Sequence, residues 1–174
     1  MTLITEREKA ARKGAMKSRG HYLAGRVNAY SDEYWTPPEI TAALGEFDLD
    51  PCAGPATRHA RRNIRRPKDG LKVKWKGRLW LNPPYSNVHL WLERFVEHGD
   101  GICLVNARCE TGWFQRLASR AQAVLFPRGR IQFARPHGQP THPPVGSALV
   151  ALGERNANAL AAAGIEGLFY RADA

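Results

Sequence analysis

Asn82-Pro83-Pro84-Tyr85 is the segment of this chain whose residue types could do chemistry. It directly follows Arg78-Leu79-Trp80-Leu81, an apolar run that reads as a buried strand, and in an open α/β sheet ligands bind at the carboxyl ends of strands. An exocyclic amine on a flat aromatic base has to be gripped in its own plane. Asn82 can accept one amine hydrogen through its side-chain carbonyl and the Pro83 carbonyl can accept the other. The prolines, Pro83 and Pro84, fix the backbone and remove competing donors. Tyr85 offers a face on which a base can stack. The plainer alternative is a proline-rich turn with Tyr85 packed on the surface.

Other chemistries find little support in the residues. Cys52, Cys103 and Cys109 are odd in number and form no CxxC pair, so neither a disulfide framework nor a cysteine zinc site is expected. His59, His89 and His98 are spaced too irregularly to argue for a metal, and no paired carboxylates have the spacing of a metal-dependent nuclease. No metal is expected.

Elements around the motif can be read from periodicity. Val88, Trp91, Leu92, Phe95 and Val96 follow the i, i+3, i+4, i+7, i+8 rule and predict an amphipathic helix directly after the motif. Upstream, Thr36-Pro37-Pro38-Glu39 has the form of a helix start, with Thr36 as N-cap, Pro37 at the first helical position and Glu39 closing a capping box. Residues 47–50 alternate as a short strand that runs into the loop Pro51-Cys52-Ala53-Gly54-Pro55. Residues 56–66 can form a helix with a thin Ala56/Ala60/Ile64 stripe. Leu71, Val73 and Trp75 alternate with Lys72, Lys74 and Lys76, which suggests an edge strand or an extended segment with one basic face. Further strands are expected at 102–105, 123–126, 130–133, 146–152 and 168–170, with helices near 111–119 and 155–163. Strands alternating with helices imply an α/β layer fold with a largely parallel sheet, and the late cluster of strands suggests an antiparallel hairpin at one edge.

The chain has 174 residues, 43% of them apolar, which suits one globular domain. No apolar run approaches the roughly 18 residues of a membrane span, and the charged N-terminus does not read as a secretory signal, so a cytoplasmic protein without membrane contact is expected. Lys and Arg number 26 against 16 Asp and Glu, a net +10 that points to a polyanionic partner. The charge is uneven. Residues 1–78 carry a net +8, and residues 58–78 contain ten basic residues and one acid, Asp69. Such a run can be a solvated face; its single sign and its place between two motifs favour phosphate contacts instead. Residues 1–30 lack a sustained apolar face and read as a basic arm, leaving 31–174 as the folded domain.

Four segments in order, Asp32-Glu33-Tyr34-Trp35-Thr36-Pro37-Pro38-Glu39, Leu49-Asp50-Pro51-Cys52-Ala53, Asp69-Gly70-Leu71 with Trp75, and Asn82-Pro83-Pro84-Tyr85-Ser86, resemble the phage-type, Dam-like DNA N6-adenine methyltransferases. The likeness continues through Leu104-Val105-Asn106-Ala107-Arg108, Trp113-Phe114, residues 128–133 and residues 146–150. It implies a reduced Rossmann-like class I methyltransferase fold and S-adenosylmethionine as cofactor. The substrate implied is double-stranded DNA with a flipped adenine, in a phage or prophage protein acting in the host cytoplasm. By the same resemblance Asn82, Pro83, Pro84 and Tyr85 would be catalytic. Trp35, Thr36, Pro37, Asp50, Pro51, Cys52, Ala53, Gly54, Asp69 and Leu71 would bind the cofactor. Arg58, Arg61, Arg62, Arg65, Arg66, Lys72, Lys74, Arg128 and Arg130 would hold nucleic acid, and residues 135–145, with His137 and His142, lie where a target-contacting loop is expected. The chain departs from the family pattern in two ways. Its loop 50–54 has one glycine where two or three are usual, and no acidic strand-end residue for the ribose is evident in the 31 residues between Asp50 and Asn82. Methylation of RNA or of protein glutamine, and a non-catalytic DNA-binding module that kept the fold, remain alternatives. The oligomeric state is not legible.

Overall fold

A computed structural model of the chain describes residues 34–134 and 143–172. The expected arm, residues 1–30, and residues 135–142 with His137 and His142 lie outside the described residues. One seven-stranded sheet organises the rest, formed by β1 (Leu49–Asp50), β2 (Arg62–Asn63), β3 (Leu79–Leu81), β4 (Gly101–Asn106), β5 (Ala123–Pro127), β6 (Ser147–Leu152) and β7 (Gly167–Arg171) in the order β2-β1-β3-β4-β6-β5-β7. Helices α1 (Pro38–Ala43), α2 (Val88–His98), α3 (Gly112–Ala118) and α4 (Glu154–Ala162) connect them. Strands β2, β1, β3 and β4 pair in parallel. The antiparallel part is larger than an edge hairpin, because β6 enters between β4 and β5, antiparallel to both, and β7 then pairs antiparallel with β5.

The core lies on both faces of the sheet. On β3, Leu79 and Leu81 belong to one apolar cluster with Trp75, Trp91, Leu92 and Phe95, while Trp80 belongs to the other with Leu44, Phe47, Leu104 and Phe133. Successive side chains of a strand point to opposite faces, so a three-residue apolar run with both faces covered is a central strand. The amphipathic helix forms as its periodicity predicts: Val88, Trp91, Leu92 and Phe95 are buried, and Gly99, at φ 74°, ends it in the left-handed conformation that glycine adopts without a Cβ clash.

Two expected elements are absent, and a third keeps its pattern without becoming a strand. Residues 56–66 are not helical: Arg62–Asn63 pairs with β1, and the Asn63 side-chain carbonyl accepts from the N–H groups of His59 and Ala60. A thin alanine stripe buries too little to hold a helix against such side-chain competition. Residues 71–76 keep their alternation, with Trp75 buried and the lysines exposed, but form no ladder. Trp75 instead donates its indole N–H to the Gly70 carbonyl and stacks on Trp91. Residues 130–133 form no strand; next to them Ala134 makes an isolated bridge to Trp35, closed by two backbone hydrogen bonds.

A buried polar network ties β3 to α4. Arg78, 3% exposed, donates from Nε to Asn156 Oδ1 at 2.6 Å and from Nη1 to the Glu46 carbonyl at 2.9 Å. Asn156, 0% exposed, donates in turn to Asp100 Oδ1 and the Leu152 carbonyl. Arg78 is thus withdrawn from the exposed basic run, and burial lowers its pKa. Replacing Asn156 with Ala leaves a buried guanidinium nitrogen without its partner, and we expect a loss of about 2–4 kcal/mol in urea unfolding.

Candidate functional site

Because β1, β3 and β4 are parallel, their carboxyl ends deliver Asp50, Asn82 and Asn106 to one edge of the sheet. Strand order reverses about β1, with β2 on one side and β3 on the other, and that switch point is the usual place for a ligand crevice. A cleft of about 860 Å³ opens there, within the size range of cofactor sites. It is lined by Trp35, Thr36, Asp50, Pro51, Cys52, Ala53, Gly54, Asp69 and Leu71, and by Asn82 and Pro84 of the motif. Of the ten residues assigned to a cofactor from the sequence, only Pro37 is outside the lining.

The Asn82 amide is held by two partners. Its Nδ2 donates to the Tyr34 carbonyl at 2.8 Å and to Thr36 Oγ1 at 3.1 Å, which leaves the side-chain oxygen as an acceptor. Here the sequence expectation for Thr36 is corrected. The helix begins at Pro38 with Pro37 as its N-cap and no side-chain cap, and the buried Thr36 hydroxyl holds Asn82 instead. Pro83 is buried, and Pro84 is extended (φ −65°, ψ 137°) before a short 3-10 turn, Tyr85–Asn87, leads into α2. The Tyr85 hydroxyl accepts the backbone N–H of Asn106, and burial raises its pKa.

Loop 50–54 is tied to the same centre. Asp50 Oδ1 accepts the Cys52 N–H, and the Cys52 thiol donates to the Asn82 backbone carbonyl at 3.1 Å. The loop's one glycine has a steric reason: a Cβ on Gly54 would lie 2.5 Å from the Trp35 ring. Gly70 admits the loop from the other side, since a Cβ there would lie 1.7 Å from the Pro51 carbonyl oxygen. Asp69 accepts the Leu71 N–H and so shapes that turn. Asp50 is 2% exposed, and burial pushes its carboxyl up to about 7.

Beside Asn82 lies a smaller pocket walled by Tyr34, Tyr85 and Phe133, floored by Leu104, and rimmed by Asn106 and Ser147. No signal in the sequence separately singles out Phe133, Asn106 or Ser147 as site residues. Asn106 nevertheless carries the same signature as Asn82, an asparagine at the end of an apolar strand. His59, whose spacing does not support a metal, lines the larger cleft, where its Nδ1 meets Thr41 Oγ1 at 3.0 Å and burial lowers its pKa.

The basic residues divide into engaged and available ones. Arg65 donates to the carbonyls of Gly54, Thr57 and Asn63, bracing the loop. Arg61 pairs with Glu46 and Asp48, Lys72 with Asp69, and Arg128 with Glu166, while Arg130 donates to the Pro143 carbonyl. Arg58, Arg62, Arg66 and Lys74 are exposed and make no ion pair among the described residues, and Arg66 lines the cleft.

A mixed α/β sheet with a cofactor-sized cleft and an amide-bearing pocket at its strand ends is consistent with a methyltransferase-like fold. The family model described as DNA N-6-adenine-methyltransferase (Dam) matches residues 26–153, and the chain belongs to that family. Membership gives DNA adenine methylation as the activity at family level and DNA as the substrate. No curated protein matches the chain. Among the described residues, no helix is long and apolar enough to cross a membrane. Helix α4 and strand β7 follow the matched segment.

The raised Asp50 pKa has a sign that can be measured. A carboxyl at about 7 in the folded state and near 3.8 unfolded holds its proton better when folded, so its contribution is complete below pH 4 and is lost as pH rises through 7. The melting temperature of the unaltered chain should therefore fall relative to that of Asp50→Asn between pH 4 and pH 8. Parallel curves would show that Asp50 ionises normally.

Proposed function

We propose that the chain transfers a methyl group from S-adenosylmethionine to the N6 amine of an adenine extruded from double-stranded DNA. The observation that carries this reading is the Asn82 amide. With both N–H groups engaged by Tyr34 and Thr36, its oxygen can only accept, which is what a primary amine requires. The oxygen and the Pro83 carbonyl would orient the amine and stabilise the positive charge that develops on its nitrogen. Tyr85 and the neighbouring pocket would enclose a base taken out of the stack. The amine nitrogen would form its bond to the methyl carbon as the carbon–sulfur bond breaks with its electron pair left on sulfur, and the surplus proton would then leave the nitrogen for solvent.

The cleft suits the cofactor chemically. Trp35 Nε1, His59 Nε2 and Trp80 Nε1 are buried with no hydrogen-bond partner among the described residues, and all three residues line the cleft. An organic ligand with both donors and acceptors fits such a wall. When bound, the cofactor supplies a methyl group activated on a sulfonium. Trp35, Thr36, Asp50, Ala53, Gly54, Asp69 and Leu71 would hold it, with the Asp50 carboxyl available to its amino group. The strand order and the switch point at β1 support reading the fold as a reduced Rossmann-like class I methyltransferase. The phage-type resemblance extends the reading to a phage or prophage protein in a bacterial cytoplasm.

Incubation with labelled S-adenosylmethionine and unmethylated DNA, followed by nucleoside mass analysis, should yield N6-methyladenine. Asn82→Ala should lower the rate at least about 100-fold while leaving folding and most DNA affinity in place. A different methylated nucleoside, or full activity in that variant, contradicts the reading. Neutralising Arg58, Arg62, Arg66 and Lys74 together should weaken DNA binding and flatten its dependence on salt, by about 0.9 in the logarithmic slope for each phosphate no longer neutralised. An unchanged slope places the phosphates elsewhere.

A further inference from the structure

The small pocket contains a second asparagine that the proposed chemistry does not use. Asn106 ends β4, and the β3/β4 ladder pairs Leu81 with Cys103, so Asn106 stands roughly 7 Å further along the strand direction than Asn82. Both project to the face of Trp80 and Leu104, the side on which Tyr34 and Phe133 wall the pocket. The backbone N–H of Asn106 is fixed by the Tyr85 hydroxyl, and the β4/β6 ladder sets the residue opposite Ser147. Its side-chain amide, half-buried, has no hydrogen-bond partner among the described residues. A rigid backbone therefore presents a donor and an acceptor to the same pocket into which Asn82 offers only an acceptor.

We propose that Asn106 is a specificity-determining residue that donates its side-chain N–H to the ring nitrogen beside the target amine, N1 of adenine. This rests on the reading of the pocket as the site of the extruded base. The Watson–Crick edge of adenine carries a donor, the amine, next to an acceptor, N1, and a flipped base is read along that edge. Asn82 and the Pro83 carbonyl satisfy the donor. The acceptor needs an N–H, and Asn106 is the pocket residue whose unengaged amide can supply one while its main chain is held. A base that lacks an acceptor beside its amine would leave that N–H unsatisfied in a partly buried site, which is how a polar pocket rejects a near-isostere.

The test is a cycle of two protein changes against two base changes. Methyl transfer is measured on duplexes whose target is adenine, 1-deazaadenine (C–H in place of N1) or 7-deazaadenine. The unaltered chain should lose roughly tenfold to a hundredfold in kcat/KM on the 1-deaza target and little on the 7-deaza target. Asn106→Ala should lose a similar factor on adenine and then show no further loss on 1-deazaadenine. Asn106→Asp, isosteric but without the N–H, should behave alike, and its matching melting temperature would exclude a folding defect. A 1-deaza penalty that persists in both variants, or a penalty on the 7-deaza target in its place, overturns the assignment while leaving adenine methylation intact. Failure of the unaltered chain to methylate adenine at all would overturn the functional reading and this inference with it.

Discussion

The site depends on one hydrogen-bonded arrangement, the Asn82 amide held by the Tyr34 carbonyl and the Thr36 hydroxyl. An asparagine at the end of a strand can rotate about two side-chain bonds and present either a donor or an acceptor. Fixing both N–H groups on buried or half-buried partners removes that freedom and leaves one chemical character facing the pocket. The partners are themselves fixed. Trp35, between them, exchanges two backbone hydrogen bonds with Ala134 across almost 100 residues of chain, and α1 begins immediately after Thr36-Pro37. The orientation of a single amide is therefore set by three distant parts of the sequence.

Close backbone approach is the second constraint, and it explains how a loop with one glycine can still line a cleft. Trp35 lies over Gly54, and the carbonyl of Pro51 lies against Gly70, so two glycines in different segments provide the room that a glycine-rich loop provides locally. Arg65 then braces the loop through its carbonyls, and the Cys52 thiol joins it to the backbone of Asn82. The short span between Asp50 and Asn82 holds the two-residue strand β2 and a side-chain-braced loop, with no helix between β1 and β3.

The elements legible in the sequence are those whose signal is local and strong. The run 79–81 reads as a buried strand because apolar residues continue without alternation, and α2 is legible because five apolar residues recur at helical spacing over a little more than two turns. The segment 56–66 misleads because its signal is weak: three small or aliphatic residues cannot outweigh the hydrogen bonding of Asn63. At 71–76 the alternation leaves strand and extended segment both open, because it reports which side chains are buried, not whether the backbone finds a partner strand. Thr36 misleads for a different reason. A threonine before two prolines satisfies the local rule for a helix cap, and a tertiary contact 46 residues away takes its hydroxyl instead.

By itself the sequence singled out the residues whose types could do chemistry, an asparagine with two prolines and an aromatic ring at the end of a buried strand, in a strongly basic chain of the DNA N-6-adenine-methyltransferase family. These follow from residue type and near-neighbour spacing, which the chain carries in one dimension. Only the tertiary structure decided which way the Asn82 amide faces and that Asn106 shares its pocket. The structure alone also set Arg65 and Arg78 to bracing the fold and left Arg58, Arg62, Arg66 and Lys74 exposed. Those outcomes depend on which groups from distant segments reach a given N–H or carbonyl first, and that competition is settled by packing rather than by pattern.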